Sequence, residues 1–355
     1  MATIFAEAVL AQTYKSKDPE TGSVVGGPAY YIEKGLGSKK LAIFFSVAII
    51  IALGFIGNMV QSNSIADAFN NAFGLNKLVA GVVIAAIGGF VFFGGLGRIA
   101  SLTEKLVPVM ATFYLLGGPY ILVTHADQLI PAFKMIFVGA FNPSAATGGL
   151  IGATMKEAMR YGVARGLFSN ESGLGSAPIV AAAAQTRNPV RQALVSSTGT
   201  FWDTVIICAL TGLVITSSII AYPDIDYHNG AALTKAAFSK IPYIGAPLLT
   251  IGLATFAFST TLGWSYYGER CVEYLSGKKL MLGYRVLYIA SIFIGSVISL
   301  GLVWNIADCM NALMAIPNLI SLLCLSGIIV HETRKYLWRG QLDREMNEDE
   351  IEELE

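Results

Sequence analysis

Four polar stretches in an otherwise apolar chain have the residue types and spacing to do chemistry. In GNMVQSNS, residues 57–64, Asn58, Gln61 and Ser62 fall at i, i+3 and i+4 and so share one helix face. Neutral amides suit a polar, uncharged ligand group, and equally suit hydrogen bonds between helices of a bundle. In GVARGLFSNESGLG, residues 162–175, four glycines let the backbone leave the helix and release carbonyl and N–H groups that then need other partners. Free carbonyls coordinate a cation, and a half-helix N-terminus attracts a carboxylate. Arg165 and Glu171 flank this run and read better as a structural ion pair than as ligand contacts. In FAFSTTLGWSYYG, residues 256–268, the adjacent hydroxyls of Ser259, Thr260 and Thr261 are hard, neutral oxygen donors of the kind that suits sodium. Hydroxyls in membrane helices also bond back to their own i−4 carbonyls, and Trp264, one turn on, reads as readily as packing. In WNIADCMN, residues 304–311, followed by Pro317-Asn318, Asp308 comes near membrane depth, and gating or packing explains it as well as binding does.

Other chemistries are missing from the chain. It has no GxSxG elbow, P-loop or HExxH. Cys208, Cys271, Cys309 and Cys324 stand singly, and His125, His228 and His331 are scattered, which argues against a disulfide framework or a zinc site. Asp203 and Asp308 lie in no Gly-rich catalytic sequence, so an intramembrane aspartyl pair is set aside and no enzyme is expected. Lys+Arg and Asp+Glu are equal at 24 each, leaving no bulk positive field for nucleic acid.

The elements that position these stretches follow from composition. With 54% hydrophobic and 14% charged residues the chain lies outside the balance of soluble proteins. A bilayer core needs roughly 20 apolar residues per helix. Eight runs qualify: 41–62, 78–96, 106–123, 149–184, 194–218, 245–266, 283–301 and 303–330. The fourth is too long and too glycine-rich for one straight helix. With residues 15–40 placed in the cytoplasm, the inner segments hold seventeen basic residues, and the outer loops hold only Lys77, Lys134, Lys235 and Lys240. That puts the acidic C-terminal tail inside as well. The expected organisation is a helix remnant at 1–14, a cytoplasmic loop at 15–40, three helices at 41–123 and an extracellular loop at 124–148. Five helices at 149–330 and a cytoplasmic tail at 331–355 complete it. The apolar segment 1–14 reads as the last turns of a helix begun upstream, which makes the chain a fragment; a short interfacial helix is the other reading.

Five spans from residue 149 onward open with a broken helix, as do the halves of transporters built from inverted repeats. Together with AEAVLA at 6–11, GGPAYYIEKG at 26–35, GNMVQSNS, RGLFSNESGLGSAP at 165–178, Asp203-Thr204 and STTLGWSYYGER at 259–270, this order resembles the alanine or glycine:cation symporter family of the amino acid–polyamine–organocation superfamily. The resemblance covers essentially the whole chain. It implies an all-α integral membrane protein with a leucine-transporter-like five-plus-five inverted-repeat core, here with the first repeat incomplete. It implies sodium-coupled symport of alanine or glycine across the plasma membrane by alternating access, with sodium as the coupling ion, no other cofactor and the lipid bilayer as surroundings. Carried over by position, Gln61 contacts substrate, with Asn58 beside it. Phe168, Ser169 and Asn170 line the pocket from the broken helix and Trp264 walls it. Thr260 and Thr261 supply hydroxyls to sodium and Ala257 a carbonyl, with Ser259 the weaker candidate. The family's first broken helix lies upstream of this sequence, so the chain alone is expected to be inactive. A channel subunit or a non-transporting membrane scaffold are the rival classes.

Overall fold

The computed structural model describes residues 1–17, 24–141, 155–222, 230–239, 245–298 and 300–345. Among the described residues the regular structure is helical apart from a two-stranded antiparallel hairpin, β1 (Ser16–Lys17) and β2 (Val24–Val25). The helices are α1 (Ala2–Thr13), α2 (Pro28–Leu36), α3 (Lys39–Phe73), α4 (Lys77–Phe92), α5 (Gly95–Thr124), α6 (Leu129–Phe141), α7 (Met155–Asn170) and α8 (Ala177–Ala183). They continue as α9 (Pro189–Ala221), α10 (Gly230–Ser239), α11 (Gly245–Ser276), α12 (Met281–Val297), α13 (Leu300–Cys324) and α14 (Ser326–Thr333). Two of the long helices contain π-helical turns, Ile50–Gly57 in α3 and Phe201–Cys208 in α9.

Among the described residues five helices are long and apolar enough to cross a membrane: Lys39–Phe73, Gly97–Thr124, Pro189–Ala221, Pro247–Ser276 and Val303–Cys324. Lys77–Phe92 and Met281–Val297 are shorter apolar helices. Large apolar side chains point outward from them, Phe90 at 70% and Leu323 at 76% exposure among them, a surface suited to lipid rather than water. The protein is a multi-pass membrane protein.

Several boundaries differ from the sequence expectation, each for a physical reason. The run expected to end at residue 62 continues to Phe73, because the polar groups beyond Asn58 have partners: Asn63 Nδ2 donates to the carbonyls of Gly295 and Ile298 in and just after α12, each at 2.7 Å. Helix α3 stops at Gly74, which takes the left-handed conformation (φ 67°) that glycine adopts without strain. The run 303–330 divides at Leu325 into α13 and α14. The expected loop 124–148 contains α6, and the loop 15–40 contains α2. Of the fourth run, residues 149–154 lie outside the described residues; the remainder forms α7, an irregular stretch and α8.

The core gathers around the long helices. Helices α11 and α12 pack along α3, and α12 also packs on α4. Gly295 lets α12 approach α3 closely, since a Cβ there would lie 2.5 Å from the Met59 Cα. Helix α1 packs against α8, α9 and α14, with Val9, Leu10 and Ala11 fully buried. One apolar cluster joins α1, α2, α3, α8, α11 and α13 around Leu10, Tyr31, Phe45, Leu174, Trp264 and Met314. The irregular stretch between α7 and α8 lies against this cluster.

A candidate substrate and cation site at a helix break

Helix α7 runs unbroken through Gly162 and Gly166 and ends at Asn170, so the release of backbone is confined to residues 171–176 rather than spread over 162–175. There Glu171 (φ 57°), Gly173 (φ 87°) and Gly175 (φ 83°) all take left-handed conformations, rare for a non-glycine residue such as Glu171. Gly175 is constrained twice, because a Cβ would also meet the Phe45 ring at 2.7 Å. The Asn170 side chain accepts from the Ser172 N–H at 3.0 Å, a local turn that starts the break.

The freed backbone groups find partners far away in sequence. The Glu7 carboxylate, fully buried on α1, accepts from the N–H groups of Gly173 and Gly175 at 3.1 Å. Asn318 on α13, also fully buried, donates from Nδ2 to Glu7 Oε1 at 2.6 Å and to the Gly173 carbonyl at 3.0 Å. Tyr31 on α2 in turn donates its hydroxyl to Asn318 Oδ1. Burial, and then the Glu7 charge, push the Tyr31 phenol well above its ordinary pKa, so it stays a donor. The half-helix N–H groups that draw an anion are thus occupied by the protein's own carboxylate. The carbonyls of Ser172 and Leu174 receive no hydrogen bond from the described residues.

An aromatic wall stands beside the break. Phe168 meets Trp264 of α11 edge-on at 5.4 Å and Trp304 of α13 at 5.2 Å. Trp264 Nε1 donates to Glu171 Oε1 at 2.7 Å, and Ser176 Oγ donates to Glu171 Oε2 at 2.7 Å. Gly57 of α3 gives the indole its room, since a Cβ there would lie 2.6 Å from the Trp264 ring. Arg165 does not pair with Glu171: its Nη2 donates to Asp308 Oδ2 at 2.8 Å, and its guanidinium lies 4.0 Å above the Trp304 ring. Arg165 lies on α7, whereas Glu171 sits past its end in left-handed backbone, so the two side chains meet different partners.

The residues singled out from sequence separate into three groups. Phe168 and Trp264 come together. Gln61, one turn beyond Gly57 on the same side of α3, is half-buried and makes no hydrogen bond among the described residues. Asn58 turns to α12 instead, donating to the Tyr288 carbonyl (3.2 Å) and Ser291 Oγ (2.8 Å), and Ser62 lies beside Gly295. The polar face of α3 is therefore divided, and Asn58 takes the helix-bonding alternative. Ser169 and Asn170 face α9, where Ser169 Oγ donates to Asp203 and Asn170 Nδ2 to Thr204 Oγ1. Asp203 and Asp308 have separate partners and form no pair.

The hydroxyls of α11 use their own backbone. Thr261 Oγ1 donates to the Ala257 carbonyl at 3.0 Å, Thr260 to Phe256 at 3.0 Å and Ser259 to Phe256 at 2.8 Å. Thr261 is fully buried and Ala257 nearly so. Each hydroxyl, having given its proton inward, keeps lone pairs for a cation. Among the described residues no group of three or more His, Cys, Asp and Glu could hold a metal, so neutral oxygens fit the hard, singly charged ion better than any transition metal.

The sequence placed Glu7 and Tyr31 within motifs and Asn318 after Pro317 in a polar cluster, but gave none of the three its role at the break. A lone carboxylate in an apolar helix and an Asn after Pro317 were the available signals, because polar groups in such places need a reason.

Comparison with known proteins identifies the family. The model of the sodium:alanine symporter family matches residues 1–350. The chain belongs to that family. It is 50% identical to the sodium/alanine symporter AgcS of Methanococcus maripaludis over 341 residues, 95% of this chain and 74% of that protein. It is 39% identical to the probable sodium/glutamine symporter GlnT of Bacillus subtilis over 343 residues, 94% of this chain and 69% of that protein. With the amino-acid carrier protein AlsT of Bacillus subtilis it shares 38% identity over 340 residues, 95% and 70% of the two chains. The protein is a cation-coupled amino-acid transporter with sodium as the coupling ion. The expectation of an inactive fragment finds no support in these matches.

Proposed function

We propose that this member of the family carries alanine or glycine with sodium across the plasma membrane by alternating access, with its C-terminus in the cytoplasm. The break at residues 171–176, with its unoccupied carbonyls beside the Phe168–Trp264 wall, is the observation that carries the reading. The five helical spans after residue 149 act as the second repeat of a leucine-transporter-like core. Related proteins differ in substrate by name, alanine in one and glutamine in another, so family membership leaves the amino acid open. The wall supports the small end of that range, since Phe168, Trp264 and Trp304 pack against one another and set three large rings on one side of the break.

In this mechanism sodium bound by the Thr260 and Thr261 hydroxyls and the Ala257 carbonyl neutralises local negative charge. It thereby raises affinity for a small zwitterion, and the coupling is reciprocal. Gln61, uncommitted and one turn from the wall, offers its amide to the substrate. Bare carbonyls at the break accept from the substrate ammonium.

The test is uptake of labelled alanine by liposomes containing the protein. An inward sodium gradient is expected to drive accumulation, Thr261→Val to raise the sodium requirement, and Phe168→Ala to admit larger amino acids such as leucine. No uptake, or uptake indifferent to sodium, would overturn the proposal.

A further inference from the structure

The residues that follow α14 fold back onto the corner between α8 and α9. After α14 the backbone makes a π-helical turn, Arg334–Trp338, and Gly340 then takes the left-handed conformation (φ 68°) that reverses a helix end. The Gln341 N–H donates to the Tyr336 carbonyl at 2.8 Å and the Gly340 N–H to the Leu337 carbonyl at 3.1 Å, which closes the reversal. A second turn, from the Arg344 N–H to the Gln341 carbonyl at 3.1 Å, sets residues 341–345 beside the start of α9.

Asn188 receives this segment. It is fully buried and caps α9, its Oδ1 accepting from the Arg191 N–H at 3.0 Å. Its Nδ2 donates to the Leu342 carbonyl at 2.8 Å and to the Arg344 carbonyl at 3.1 Å, so both amide protons are taken by residues 341–345. Asp343, between those two carbonyls in sequence, accepts from Arg191 Nη1 at 2.6 Å and lies 3.6 Å from Arg187 Nη1. Glu345 adds a pair with Arg187 Nε at 3.8 Å. The amide contacts are buried and the ion pairs exposed, Asp343 at 85%, so the hold has a fixed seat and a weak outer lock that solvent can open.

The same segment touches both sides of a boundary that a carrier has to move. Tyr336, fully buried, packs among Ala8 and Val9 of α1, Ala181 of α8 and Val190 of α9, and Leu342 packs against this cluster. Helix α1 precedes residue 149, whereas α8 and α9 follow it. Gln12 of α1 also reaches across, its Nε2 donating to the Ala184 carbonyl at 3.0 Å just after α8. Rocking of one repeat against the other must loosen α1 from α8 and α9 once in each cycle. Any contact that bridges the closed corner stabilises that state and raises the barrier to leaving it.

We propose that residues 341–345 are a strap that holds the α1–α8–α9 corner closed and slows the transport cycle, with Asp343 between Arg187 and Arg191 as its releasable lock. The strap rests on the alternating-access reading above. It uses no residue assigned to substrate or sodium.

Sodium-driven alanine uptake by liposomes containing the full chain tests it, with Asp343→Arg, Arg191→Asp and the two combined. Each single reversal is expected to raise the maximal uptake rate about twofold to fivefold while the KM for alanine stays put. The double variant, which restores an ion pair in the opposite sense, should bring the rate back most of the way. Hydrogen–deuterium exchange of the amides in residues 181–193 reads the same contact without transport: it should quicken in each single variant and slow again in the double. Unchanged uptake in both single variants, or a gain that the double variant keeps in full, would overturn the strap and leave the proposed function standing. So would slower uptake accompanied by a lower melting temperature, which would make residues 341–345 a structural brace only. Absence of sodium-driven uptake by the unaltered protein would overturn both.

Discussion

Two polar stretches at membrane depth solve the same problem in opposite ways. Between Phe256 and Thr261, α11 stays a continuous helix and its hydroxyls donate to carbonyls three and four residues back. Between Glu171 and Ser176 the helix is abandoned, and the freed groups lean on Glu7 from 166 residues away in sequence and Asn318 from 145. The first is self-sufficient; the second exists only in the folded bundle. Bonds within one helix survive small movements of its neighbours, whereas bonds borrowed from α1 and α13 change whenever those helices move. A carrier needs both behaviours, and this contrast suits a steady ion ligand set beside a break that responds.

The contrast breaks most visibly at Glu7. Glu7→Ala leaves the buried N–H groups of Gly173 and Gly175 without an acceptor and the Asn318 amide with only the Gly173 carbonyl. Since each such group costs about 1–3 kcal/mol, the loss should reach about 3 kcal/mol or more. Thermal melting of the detergent-solubilised protein, followed by size-exclusion chromatography, reads it; Glu7→Gln should lose clearly less. A melting temperature unmoved by Glu7→Ala would show that the break does not depend on α1.

Next in size is Gly175→Ala. It sets a side chain in left-handed backbone against the Phe45 ring, at a cost of about 2–4 kcal/mol, measurable in the same melt. Trp264→Phe keeps a ring in the wall but removes the donor to Glu171. About 1–2 kcal/mol of stability should go, together with alanine affinity in uptake assays. The smallest effect belongs to the self-sufficient stretch. Thr261→Val should change stability by less than about 1 kcal/mol, because the Ala257 carbonyl keeps its helical N–H partner. A larger loss there would erase the distinction between the two regions.

The same contrast explains what could be read in advance. The hydroxyl run, the glycine-rich run and the apolar spans are local patterns; the hydroxyls lie within one helix as expected, the break shrinks to residues 171–176, and five of the eight runs correspond to helices long and apolar enough to cross a membrane among the described residues. The pairing of Arg165 was misread because Glu171 is its neighbour along the chain, while Asp308 is its neighbour in space. Asn58 and Gln61 looked like one polar face. The packing of α12 claims Asn58 and leaves Gln61 uncommitted.

Composition, spacing and glycine placement by themselves determined that the chain is a helical membrane protein, that a helix breaks somewhere in the glycine-rich run 162–175, and where its hydroxyl oxygens lie. Those properties depend on interactions within a turn or two of helix. The tertiary structure alone decided that Glu7 and Asn318 hold the break, that Asp203 faces Ser169, and that the π-helical turns fall beside Trp264 and Asp203. The bonds that fix these arrangements join residues far apart in sequence, and only the packing of helices states which distant groups meet.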